Sequence, residues 1–206
     1  MSAMTATLDE ARDHLRVIRQ TMERSTQYST LSGWSGIFVG LLAIAGVALT
    51  RSLTHAPEWR ALSSGAQNTK IAAIWFGALV LAVAIDFVCN KRRARRVGKY
   101  VMSRLGAHIL IAALPAFLGA GVLTLFFFQH GLAAFVYGIW MLCYGLAICA
   151  VGLFSVRPVT FLGIAFVLSG ALTLLMPLGL SMLMMAVTFG GFHIIYGIAM
   201  ARKHGW

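Results

Sequence analysis

Lys91-Arg92-Arg93-Ala94-Arg95-Arg96-Val97-Gly98-Lys99 lies between two long apolar stretches, and its reading decides the fold. Counted on to Arg104, the run holds seven of the seventeen Lys and Arg residues of the chain. A segment so dense in cations stays on the cytoplasmic side while its neighbours insert. The apolar stretches on either side are therefore read as membrane crossings that meet at a cytoplasmic loop.

Composition supports that reading. The 206 residues are 59% hydrophobic and 11% charged, and a soluble domain of this length could not cover so much apolar side chain with so few charges. The net charge of +11 gathers at the ends of apolar segments, where it meets anionic lipid headgroups, above all over Lys91 to Arg104. No nucleic-acid motif accompanies it, so nucleic acid is not an expected partner. Cys89, Cys143 and Cys149 all fall inside apolar segments, an odd and scattered set that is no disulfide framework and no metal site.

Outward from the basic run, six crossings are expected, at about 31–50, 71–90, 105–128, 132–154, 158–177 and 181–201, each long enough to span the hydrocarbon core. Residues 51–70 form a polar outer loop, and Pro115 breaks and kinks the third crossing. With a cytoplasmic N-terminus the inner segments carry fourteen Lys and Arg and the outer ones three, Arg51, Arg60 and Lys70. That bias places both termini in the cytoplasm of a bacterial inner membrane. The all-α chain is thus a polytopic six-helix bundle.

Ahead of the first crossing, residues 1–30 are polar and mixed in charge, without the form of a cleavable signal peptide. They open with a helix cap, Thr7-Leu8-Asp9-Glu10, followed by Leu8, Ala11, Leu15, Ile18 and Met22 on one stripe. This amphipathic cytoplasmic helix lies on the membrane, packs on its own bundle, or binds a cytoplasmic protein partner through residues 8–22.

Glycine spacing is the most regular pattern. Gly131, Gly138, Gly145 and Gly152 recur at intervals of seven, as do Gly163 with Gly170, Gly190 with Gly197, and Gly33 with Gly40, the last beside a Gly36/Gly40 GxxxG pair. Lipid gives no hydrophobic drive for helix association, so such ridges are expected to pack helices closely, within one chain or between copies in a homo-oligomer. Trp34, Gly46 and Arg51 match Trp140, Gly152 and Arg157 at one offset of 106, as an inverted repeat of three helices would.

The glycine-spaced helices from Gly138 to Ala201, joined by short turns such as Ser155-Val156-Arg157-Pro158 and Leu178-Gly179-Leu180, resemble the small six-helix bacterial inner-membrane proteins of the HdeD-like acid-resistance type. The resemblance covers the second half of the chain and implies a stress-associated role.

Asp86, the only acid within a crossing, and His193 are the candidate polar groups, because an ionisable side chain at membrane depth needs a partner or water. Their depths allow a pair, or a proton relay with Tyr196, and His108 stands at a depth that also suits Asp86. The structural alternatives are that Asp86 pairs with Lys91 or Arg92 and that His193 bridges helices. A b-type haem would need two facing histidines, with His108 and His193 as the pair, although no CxxCH is present. No HExxH, GxSxG or P-loop occurs, so an enzyme is not expected. Two functions follow: a transport-like or stress-associated protein that moves a proton or small solute, or an interaction module anchored by its bundle.

Overall fold

In lipid every backbone N–H must be satisfied within its own segment, so each apolar run becomes a helix. The computed structural model describes residues 32–96 and 104–204. Its helices are α1 (Gly33–His55), α2 (Ser64–Arg96), α3 (Arg104–Gln129), α4 (Val136–Gly152) and α5 (Arg157–Leu175). The sixth crossing is composite: α6 (Ser181–Met185), a π-helical segment (Ala186–Phe192) and α7 (His193–His204). Among the described residues six helical segments are long and apolar enough to cross a membrane, and the chain is an all-α integral membrane protein. The amphipathic stripe from Leu8 to Met22 lies outside the described residues, as do Val97, Gly98 and Lys99 of the basic run.

The expected boundaries shift for local reasons. α1 continues past Thr50 because Thr54 Oγ1 and His55 Nδ1 both reach the Arg51 carbonyl, at 3.0 and 2.8 Å, and satisfy the last turn. It stops where Ala56, ahead of Pro57, is held extended. The polar loop is correspondingly short. Ser63 caps α2 through its hydroxyl, and Gln67 Nε2 donates to the Trp59 carbonyl at 2.9 Å, tying the connector down.

At its far end α2 corrects the expected loop. Lys91 to Arg96 are helical, not a bend, because Lys, Arg and Ala are good helix formers and cations suit a helix C-terminus. Its 33 residues measure about 50 Å, against roughly 30 Å of hydrocarbon. The basic turns therefore project from the lipid. Pro115 is likewise carried inside α3 without interruption, since it removes a single N–H donor and the neighbouring bonds persist.

Gly131 departs from the expected ridge. It sits past the end of α3 at φ 71°, with Leu132 N–H donating to the Phe127 carbonyl and Gly131 N–H to that of Phe128. That is the left-handed glycine that closes a helix C-terminus. A Cβ there would meet nothing within 4 Å, so Gly131 packs against no neighbouring helix.

The other glycines of the seven-residue ridges, with Gly36, mark two close crossings. Between α4 and α5, a Cβ on Gly145 would stand 2.8 Å from the Gly163 carbonyl oxygen, and one on Gly163 would stand 3.0 Å from that of Gly145. Gly138, Gly152 and Gly170 face Leu174, Thr160 and Leu142 along the same seam. Between α1 and the sixth crossing, Gly33 and Gly36 meet Gly197, and Gly40 meets Gly190. α2 packs mainly on α1, and α3 mainly on α4. The two outer helices turn Phe76, Val83, Ile111, Val122 and other apolar side chains outward, the surface a bilayer covers.

The 106-residue offset does not extend to packing. Trp34 is exposed and stacked on Phe38, whereas Trp140 donates to Thr124 Oγ1 at 2.9 Å. Where α4 pairs with the helix that follows it, α1 pairs with the last crossing. The core lies where α4, α5 and the sixth crossing converge, on Met141, Phe166 and Met185.

Candidate functional site

Two polar groups form inside this frame. The first surrounds Asp86 on α2. Asn90, one helical turn on, donates Nδ2–H to Asp86 Oδ2 at 2.8 Å, and its Oδ1 accepts the Ser32 N–H at 2.7 Å. One side-chain amide thus ties the start of α1 to the carboxyl group. Ser35 Oγ also lies within reach of Asp86, but its single hydrogen goes to the Ser32 carbonyl at 2.9 Å. Lys91, expected as an ionic partner, instead stands 5.6 Å from the centre of the Phe87 ring.

The second group surrounds His193, the residue that follows the π segment. Nδ1 lies 3.0 Å from the Phe189 carbonyl. A carbonyl only accepts, so Nδ1 carries the hydrogen. In the neutral ring Nε2 is then an acceptor, and Tyr144 O–H donates to it at 2.7 Å. The pair is enclosed by aromatic rings: Tyr144 packs against Phe166 and Phe189 with centroids 4.7 and 4.9 Å away, and Phe189 stacks on the imidazole. π-helical turns are rare and collect at functional positions; here one places the imidazole facing α4.

Asp86 and His193 therefore do not pair directly, contrary to the depth argument. Each has its own partners. Tyr144 and Tyr196 both lie within range of the Asp86 charge, Tyr196 within range of Tyr144, and Arg93 within range of Tyr196. His108 stays outside this assembly, exposed on α3. Both ring nitrogens of His193 are engaged, by Tyr144 and the Phe189 carbonyl, so neither is left for the axial role considered with His108. Among the described residues no cluster of three His, Cys, Asp or Glu stands ready for a metal ion.

Tyr144, Asn90 and Ser35 were not singled out by the sequence reading. Asn90 carried a usable signal, its four-residue spacing from the lone acid. Tyr144 carried none, because nothing along the chain links α4 to a histidine forty-nine positions later.

Asn90→Ala removes both the acceptor of the Ser32 N–H and the donor to Asp86. Leaving such groups unsatisfied costs about 1–3 kcal/mol. Unfolding in detergent micelles should show a loss of that size, and a wild-type midpoint would mean the amide bridge is not formed.

No family model, no curated protein and no solved structure matches the chain.

Proposed function

We propose that this is a small transport-like protein of a bacterial inner membrane, in which His193, Tyr144, Tyr196 and Asp86 handle a proton. The observation that carries the reading is the Tyr144 to His193 hydrogen bond, closed inside the bundle within electrostatic range of the only acid in a crossing. A proton route needs groups that both donate and accept. Hydroxyl, imidazole and a protonated carboxyl group all do, and because an ionisable group at this depth is costly, its presence favours work of that kind.

The excess of Lys and Arg on one side supports cytoplasmic termini, with Asp86 nearer that face and Lys91 to Arg104 on anionic headgroups. The resemblance of the second half to HdeD-like proteins supports a stress-associated setting, in which proton handling has an evident use. The glycine seams serve this reading as the adhesive that keeps the polar groups in register within lipid.

Tyr144→Phe tests the relay, since it deletes one hydroxyl and leaves the aromatic packing. In proteoliposomes loaded with a pH-sensitive dye and given an external pH step, proton entry should slow by about tenfold or more. A variant as fast as wild type removes Tyr144 from the route.

A further inference from the structure

One stripe of α1 faces the sixth crossing, with glycines over its first turns and larger side chains further on. At Gly33, Gly36 and Gly40 the two backbones are in contact. At Ile44 a side chain stands between them, reaching Gly190. Beyond it come Val47, Arg51, Thr54 and His55, and the helices no longer close. A cleft of about 330 Å³ remains between these four residues and Gly179, Met182, Leu183 and Ala186. A clamp of glycines at one end and bulk further along makes the cleft a consequence of the sequence.

We propose that this cleft seats one anionic phospholipid, with its phosphate on Arg51 and the upper part of an acyl chain along Val47, Met182, Leu183 and Ala186. The lining contains the Arg51 guanidinium and no acid. The Arg51 guanidinium is exposed and makes no hydrogen bond or ion pair with any described residue. A guanidinium binds a phosphate through two parallel N–H donors, which favours this headgroup over a zwitterion whose own ammonium competes for it. The floor is apolar and the cleft is about the size of the smaller ligand pockets. A free phosphate would gain nothing from that floor, whereas a lipid uses both parts.

The position suits the ligand. Ser32, at the start of α1, is bonded to Asn90 near the basic end of α2, so Arg51 lies at the opposite end of the bundle, away from Lys91 to Arg96. Binding here is therefore separable from headgroup attraction to the basic turns.

Native mass spectrometry of the full chain, released from detergent with added phosphatidylglycerol or phosphatidylcholine, tests the site. Wild type should carry one more phosphatidylglycerol than Arg51→Gln, with no such difference for phosphatidylcholine. Arg60→Gln, on the connector outside the cleft, should keep the wild-type count. Gly179→Leu gives a second route: a Cβ at that position meets nothing within 4 Å, so the helices accept it while the leucine occupies the acyl seat, and one bound lipid should again be lost. Equal counts in wild type and Arg51→Gln overturn the proposal, as does a wild-type count in Gly179→Leu. So does equal retention of phosphatidylcholine, or displacement of the lipid by excess inorganic phosphate.

Discussion

Gly145→Val should destabilise the protein by about 3 kcal/mol or more, at the upper end of what overpacking costs. The first added carbon would stand 2.5 Å from the Val167 backbone nitrogen and 2.8 Å from the Gly163 carbonyl oxygen. Neither is the tip of a flexible side chain, so α4 and α5 must separate along their most extensive contact. Gly77→Val and Gly119→Val supply the comparison. A Cβ at either meets nothing within 4 Å, and a substitution on such an open face changes stability by about 0.5 kcal/mol or less. Unfolding of the three variants by titration with a denaturing detergent reads the difference. If Gly145→Val falls with the other two, the α4/α5 seam is not held by close backbone approach.

Asp86→Asn should reduce proton entry into proteoliposomes to the level of protein-free vesicles. An asparagine at this position has nearly the shape of the aspartate and still accepts from Asn90 Nδ2, so the tie to Ser32 remains and the bundle folds. It carries no exchangeable acidic proton. The variant therefore separates proton handling from architecture, whereas an alanine would disturb both by leaving Asn90 without its partner. Flux equal to wild type, with an unchanged helical spectrum, would end the transport reading and leave Asp86 as a structural anchor for the start of α1.

These two experiments fall on either side of what the sequence could reveal. The spacing of Gly138, Gly145 and Gly152 was legible as a ridge because every seventh residue returns to nearly the same face of a helix. Nothing in the spacing says that α4 meets α5 while α1 meets the last crossing as well as α2. Gly131 kept the interval yet closes a turn, because its backbone needs a left-handed conformation that the interval does not encode. Asp86 was legible as the lone acid in an apolar run. Asn90, one turn on, was within reach of the same reading, but Ser35 was not, since it lies on another helix, nor was the tyrosine opposite His193, on a third.

The number of crossings and their approximate limits follow from the sequence alone, because a helix in lipid must satisfy its own backbone bonds, a local demand that apolar length meets. The same holds for the cation excess at one end. The choice of neighbour is decided only in three dimensions. Lipid tails are as apolar as the side chains they touch, so burial gives no preference among the helices, and complementary shape together with a few buried hydrogen bonds selects the pairs. That selection put Tyr144 against His193, and it left the cleft beside Arg51 open.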